Sequence, residues 1–357
     1  MTPLAPGGVI GILGGGQLGR MLSLAAARLG FDCHIYVPEK ASPAARVSAH
    51  ETVAAYNDEA ALKKFAAQID VITFEFENVP AATVQILAAV GKPVSPPASS
   101  LAVAQDRVDE KQFFERLGIG TAPFAVVSSR ADMDAAIDKV GLPAILKTRR
   151  LGYDGKGQAR LSARTDAAQA LLTIGAHPAI LEGFVKFERE ISVVAARGRD
   201  GSFAAFDVCE NEHKNGILAR TIAPARIDAS VAAQAQDYTR RIMEALNHVG
   251  VLAVEFFLLS DGTLLANEFA PRVHNSGHWT EDACLTGQFE QHIRAVAGWP
   301  LGPVTRFCDV EMLNLVGAET DEWRALAADP HVRLHLYGKG DARPGRKMGH
   351  VNKLTFR

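Results

Sequence analysis

The chain has 357 residues, 48% of them hydrophobic, which is enough to bury more than one core, so two or three domains are expected. A formal net charge of −2 excludes a global attraction for nucleic acid. Four scattered cysteines without CxxC spacing, and no apolar run of membrane-spanning length, point to a soluble cytoplasmic protein without disulfides or a membrane span.

Residues 9–13 read as a short strand, followed by Gly14-Gly15-Gly16-Gln17-Leu18-Gly19 and a helical pattern over 21–29. Residues 31–37 give a second strand, so the chain opens as a βαβ unit whose Gly14, Gly16 and Gly19 match G-x-G-x-x-G. Glu39 stands where a ribose-binding acid would belong. A dinucleotide, another anion at a helix N-terminus and a plain tight turn all remain open. Residues 71–74 form a further strand ending in Glu75-Phe76-Glu77-Asn78. These polar groups either meet a ligand at the strand ends or cap the helix that starts near Pro80. Pro93, Pro96 and Pro97 then mark a domain boundary.

Residues 101–117 have a helical pattern with Arg107 and Lys111 on the polar side. Residues 142–148 read as a strand with Lys147 at its polar end, and the loop 149–158 follows. Gly152, Gly155 and Gly157 suit a flap whose N–H groups wrap a polyphosphate, with Lys147 and Lys156 neutralising charge. A hairpin with an Asp-Gly turn is the simpler reading. The loop is not a Walker A motif, because Gly157 is followed by Gln158. Strands are expected over 179–185, 191–196 and 203–208, and an amphipathic helix over 238–246.

Residues 251–259 and 263–269 are strands joined at Asp261-Gly262, the pattern of a two-residue hairpin. That turn pairs Ser260 with Thr263 and sets Glu255 opposite Glu268 on one face. Like charges opposed between apolar strands call for a shared proton or a shared cation, and Mg²⁺ with nucleotide phosphates is the hard-ligand solution. The second strand runs straight into Arg272, His274, Asn275, Ser276 and His278, a dense polar segment.

The lysine strand, the glycine flap, the strand Ile180-Leu181-Glu182-Gly183 and the paired acids resemble the ATP-grasp superfamily. With GGGQLGRM at 14–21, RRLGYDGKGQ at 149–158, NEFAPRVHNSGHWT at 267–280 and RPGRKMGHVN at 343–352, the chain is similar to the N5-carboxyaminoimidazole ribonucleotide synthetase family. The resemblance implies mixed α/β and α+β architecture. It comprises a Rossmann-like pre-ATP-grasp domain with a parallel sheet over 1–105, an ATP-grasp domain over 106–300 with a mobile lid at about 122–185, and a small C-terminal domain over 301–357.

The same resemblance implies that Arg107, Lys147, Gly152, Tyr153, Asp154, Gly155, Lys156, Gly157 and Gln158 meet ATP. Glu182, Gly183, Phe184 and Val185 would form the adenine hinge, joined by Glu190, His213, Asn267 and Glu268, with Mg²⁺ on Glu255 and Glu268. Gln17, Leu18, Glu75, Tyr153, Asp154, Arg272, His274, Asn275, Ser276, Arg343, Arg346 and Lys347 would surround 5-aminoimidazole ribonucleotide and bicarbonate. Asp154, Arg272, His274 and Lys347 would be catalytic. The implied reaction is ATP-dependent carboxylation of that amine through carboxyphosphate, in purine biosynthesis, by a cytoplasmic homodimer. Another carboxylate–amine ligase of the superfamily and a nucleotide-binding protein without turnover are the rival readings. Two departures stand out. Ala270 replaces the second Asn of N-E-x-N-P-R, leaving Asn267 or Asn275 as a third metal ligand. The chain stops at Arg357, soon after Gly349-His350, which implies a shortened C-terminal domain and a changed dimer contact.

Overall fold

The structure is a computed structural model that describes residues 2–152, 155–175 and 177–356. Val9–Leu13 lies between Asp32–Val37 and Val71–Phe74, with His50–Val53 at the far edge, and all four strands are parallel. Apart from His50–Val53 the strands are almost wholly buried, as apolar runs covered on both faces must be. The first helix spans Gln17–Arg28, starting directly after Gly16 and earlier than its apolar periodicity indicates. Glu75 follows Val71–Phe74 at the same sheet edge as the glycine loop, where parallel sheets bind ligands.

The helix expected over 101–117 is two helices, Ala98–Ala104 and Arg107–Arg116. Asp106 interrupts it, because its carboxylate caps the second helix by accepting from the Val108 N–H. The same carboxylate accepts from Arg149 Nε and Arg150 Nε, at 2.9 and 3.1 Å, so the helix break also anchors the base of the flap.

Phe124–Val127, Ala179–Gly183, Ala144–Thr148 and Gln158–Leu161 form an antiparallel sheet in that order. With Asp132–Val140 and Ala167–Thr173 it encloses its own apolar cluster, including Met133, Ile137, Leu146 and Leu181. The largest sheet runs Leu264–Ala270, Gly250–Leu258, Arg189–Arg197, Cys209–Lys214, Ile217–Ala223, Asp309–Val316, Lys347–Thr355, Val332–Leu336, with Phe203–Ala205 added beside Arg189–Arg197. The C-terminal strands therefore extend the sheet that carries the paired acids. The helix expected over 238–246 is longer, Ala229–Ala245, and packs on this sheet.

Candidate active site

The hairpin places the acids through two departures from a regular ladder. Its turn has three residues, 260–262, closed by the Leu259 N–H donating to the Thr263 carbonyl at 2.9 Å. Gly262 takes φ 86°, the left-handed position that such a turn gives to glycine. From there Leu258 pairs with Leu264 and Phe256 with Ala266, one residue out of the register expected from a two-residue turn. A bulge then absorbs Asn267, and Glu255 falls opposite Glu268 after all.

Burial, then the charge of Glu268, pushes the Glu255 carboxyl well up from its ordinary range. Burial acts on Glu268 in the same direction, but Arg107, which donates to its Oε2 at 2.8 Å, outweighs it and holds it low. Although enclosed by these groups, the Glu268 side chain keeps 41% exposure toward the cleft. Asn267 Oδ1 is buried without a hydrogen-bond partner among the described residues. Two carboxylates and an orphaned amide oxygen on one bulged hairpin form a hard-oxygen donor set suited to a divalent cation. Asn275, the other candidate third ligand, is committed elsewhere: it exchanges hydrogen bonds of 3.0 and 2.7 Å with Asn314.

Cations surround this pair. Lys147 Nζ donates to Glu182 Oε2 at 3.0 Å, and Lys111 Nζ lies 3.5 Å from the same oxygen. Burial alone would raise Glu182, yet Lys111, Lys147 and Arg107 bring it down to about 2. Lys111 also donates to the carbonyl of Asn267 at 2.7 Å and so braces the bulge from behind. Its helical position was legible, but its role was not.

Beyond the strand, Arg272 Nε donates to Glu77, tying the polar segment to the N-terminal sheet. His274 Nε2 lies 3.5 Å from Glu255 Oε1, and its Nδ1 accepts from the Ser276 N–H at 3.3 Å. Burial, then Arg272 and Lys347, brings the His274 ring down to about 3, so it is neutral at pH 7. Ser276 is fully buried and reaches the cleft only through His274.

Two cavities meet here. A cleft of about 290 Å³ is lined by Lys147, Gly155, Lys156, Gln158, Glu190, His213, Asn267, Asn275 and Lys347 together with the acid pair. A smaller one of about 70 Å³ is lined by Glu77, Asn78, Gly152, Ala270 and Arg272. Arg107, Glu268 and His274 line both. Glu190 and His213 pair at 2.7 Å, and this bond helps raise the imidazole against the downward pull of burial. Phe187 stacks on Phe257 with centroids 4.8 Å apart, an apolar platform at the cleft that the sequence reading missed. A larger groove of about 950 Å³ between Ile217–Ala223 and Leu326 shares only His213 with the cleft and lacks the acid pair.

Other expected residues fall at varied distances from this centre. Gly183 and Phe184 donate their N–H groups to the carbonyls of Pro123 and Pro143, and Val185 follows, half-buried. Gly157 has φ 69°, and a Cβ there would meet Thr148 Oγ1 at 2.7 Å. Tyr153 and Asp154 lie outside the described residues. Arg343 is 73% exposed near Asp341, and Arg346 donates to the Asp341 carbonyl, so neither guanidinium lines these two cavities.

Gln17 opens the first helix and Leu18 is buried behind it. Glu75 accepts from the N–H groups of Gly16 and Gly19, at 2.6 and 2.9 Å. A Cβ on Gly14 or Gly16 would meet Glu75 at 2.5 or 2.6 Å, so these glycines seat a carboxylate of the chain itself. The pyrophosphate place of a dinucleotide fold is thereby taken.

Three family models match the chain in order. They are the ribonucleotide synthetase preATP-grasp domain over 8–105, the ATP-grasp domain over 112–289, and the phosphoribosylaminoimidazole carboxylase C-terminal domain over 311–355. The N5-carboxyaminoimidazole ribonucleotide synthase of Brucella melitensis is 54% identical, over 100% of this chain and 99% of its own. A solved N5-carboxyaminoimidazole ribonucleotide synthetase in complex with ADP is similar at 41% identity and a TM-score of 0.96, covering 99% of this chain and 94% of that one. The Aspergillus clavatus synthase, solved with ADP and 5-aminoimidazole ribonucleotide, gives 28% identity and a TM-score of 0.92 over 98% and 94% of the two chains. Identity of this level over the whole length, with the ATP-grasp model matching 112–289, means that this chain belongs to the N5-carboxyaminoimidazole ribonucleotide synthase family of ATP-grasp proteins.

Proposed function

We propose that the chain carboxylates the exocyclic amine of 5-aminoimidazole ribonucleotide, using ATP and bicarbonate, and releases N5-carboxyaminoimidazole ribonucleotide, ADP and phosphate in purine biosynthesis. The observation that carries this reading is the pair of adjoining cavities that share Arg107, Glu268 and His274. One, with buried cations and opposed acids, suits a nucleotide; the other, lined by Arg272, suits a second, anionic reactant. The relatives' names, and the Aspergillus clavatus complex holding both ADP and the ribonucleotide, support it.

Bicarbonate is a poor electrophile, so its oxygen first takes the γ-phosphoryl group of ATP to give carboxyphosphate. That step needs alignment and charge neutralisation more than covalent help. Lys147, Lys156 and Arg107 supply positive charge along the cleft. Glu255, Glu268 and Asn267 Oδ1 would hold Mg²⁺, which when bound would offset the charge of the phosphates. Arg272, with its fork already oriented by Glu77, would hold bicarbonate or its phosphorylated form. The amine then captures the carboxyl carbon, and Asp154 orients or deprotonates it, with Lys347 holding the anionic partner. Closure of the flap over the cleft would keep water from the carboxyphosphate.

A cytoplasmic homodimer belongs to the same proposal; the buried free thiols Cys33, Cys209, Cys284 and Cys308 fit a reducing compartment. Incubating the purified protein with ATP, Mg²⁺, bicarbonate and the ribonucleotide tests the reaction. ADP release should require both co-substrates; release that persists without either one, or that needs formate in place of bicarbonate, refutes it.

A further inference from the structure

Behind His274 runs a file of buried side chains whose hydrogen bonds share one direction. Thr221 Oγ1 donates to Asn211 Oδ1 at 2.9 Å, and Asn211 Nδ2 donates to Ser192 Oγ at 2.9 Å. Ser192 Oγ donates to Ser276 Oγ at 2.8 Å, and Ser276 Oγ lies 2.9 Å from His274 Nδ1. Thr221, Ser192 and Ser276 have no exposed surface, and Asn211 has 5%. Sheet register sets the spacing: Asn211 pairs with Thr221, and Ser192 pairs with both Cys209 and Glu255.

The direction follows from the active-site end. A backbone N–H can only donate, so the Ser276 N–H makes His274 Nδ1 an acceptor and leaves the ring proton on Nε2. The Ser276 hydroxyl must then donate to Nδ1 and accept from Ser192. Ser192 in turn accepts from the Asn211 amide, whose oxygen is left to receive Thr221. Cys209 Sγ, 3.1 Å from Ser192 Oγ, is the other neighbour of this file. Four polar side chains buried together persist only when every member is satisfied, and here each link supplies what the next lacks.

We propose that Ser192, Asn211 and Thr221 are positioning residues that hold the Ser276 hydroxyl on His274 Nδ1, so that the ring presents Nε2–H as a donor, 3.5 Å from Glu255 Oε1, where the two cavities join. A donor at that place suits oxygen-rich reactants such as bicarbonate and carboxyphosphate, whereas the opposite tautomer would turn a lone pair toward their oxygens. The identity of the group that receives the hydrogen bond rests on the carboxylation reading; the tautomer does not.

Asn211→Asp tests the file with little change of shape. A carboxylate only accepts, so both Thr221 and Ser192 would donate into it, Ser192 would accept from Ser276, and His274 would lose its hydroxyl donor. In ¹⁵N-labelled wild-type protein the His274 ring should show one tautomer, protonated on Nε2. In Asn211→Asp the long 3.3 Å contact from the Ser276 N–H is the only donor left on Nδ1 and the Ser276 hydroxyl can accept from an Nδ1–H, so the ring should become a mixture, with kcat for carboxylation reduced roughly 10-fold and the KM for ATP unchanged. Ser192→Ala, which cuts the file at its middle, serves by the same two readouts if the carboxylate variant does not fold. A wild-type ring protonated on Nδ1, or a folded variant with an unchanged tautomer and kcat, overturns the proposal. A locked wild-type ring in a protein that shows no ribonucleotide-dependent ADP release would overturn the carboxylation reading and leave the file standing.

Discussion

Two lysines converge on Glu182 Oε2, and they are not equivalent. Lys111 is 1% exposed and also holds the carbonyls of Ala266 and Asn267, whereas Lys147 is 14% exposed and faces the cleft. Lys111→Met removes the ammonium that donates to these carbonyls and weakens a buried ion pair, so a loss of about 3–5 kcal/mol is expected by urea denaturation. Lys147→Met leaves Glu182 its other lysine; unfolding should move by less than about 1 kcal/mol, while ATP binding by calorimetry should disappear. Equal destabilisation by the two changes would refute this division. Asn267→Leu replaces an oxygen that has no partner among the described residues, so stability should stay within about 1 kcal/mol. The Mg²⁺ concentration for half-maximal activity should rise about 10-fold, and an unchanged requirement would remove Asn267 from the donor set. At this scale the sequence showed which groups are chemically able, since Lys147, Glu255 and Glu268 lie beside recognisable turns. It did not show partners: Glu77 with Arg272 and Asn275 with Asn314 are brought together only by the folded chain.

The acid-bearing hairpin was legible for a partly fortuitous reason. A turn one residue longer than assumed and a one-residue bulge cancel, so the expected opposition of Glu255 and Glu268 survives two local errors. Periodicity cannot reveal this bulge, because Asn267 and Glu268 are consecutive polar residues and neither register alternates through them. The flap was legible as a glycine loop, and it does join two antiparallel strands. Its Gly157 carries a sharper expectation. Alanine there would need a left-handed φ and would press its methyl on Thr148 Oγ1, at a cost of about 1–2 kcal/mol within the loop. Steady-state kinetics of Gly157→Ala should show the KM for ATP raised about 10-fold with little change in melting temperature. A wild-type KM would mean that this loop conformation is not used in binding.

Across the whole molecule, the central sheet gathers chain segments that no local pattern connects. Lys347 reaches the cleft because Lys347–Thr355 pairs with Asp309–Val316, which pairs with Ile217–Ala223. His292 joins three elements: its Nδ1 accepts from the Val251 N–H on the hairpin, and its Nε2 meets Thr73 of the N-terminal sheet at 2.7 Å. Burial lowers His292 and His248 to about 3 and His34 to about 4, and holds His278 and His350 well below the usual range. These rings stay neutral in the fold and take up protons on unfolding. Stability they contribute is therefore present above about pH 6.5 and lost as pH falls, by about 1.4 kcal/mol per pH unit for each. Glu110 and Glu281, raised by burial to about 8 and 7, act oppositely: their contribution is present below about pH 4.5 and fades as pH rises through 7 to 8. Histidines outnumber these acids, so denaturant titrations should find maximal stability near neutrality and a steep acid limb. A flat profile between pH 5 and 6.5 would contradict this.

The carboxylate seated in the first glycine loop has a consequence for competition inside a cell. A βαβ loop with free amides would attract abundant pyridine dinucleotides and other free phosphates. Glu75 occupies those amides with a carboxyl that burial pushes up from its ordinary range, so the N–H donors that would hold a phosphate are already used. A glycine loop filled by its own carboxyl is closed to the phosphates that free amides would collect.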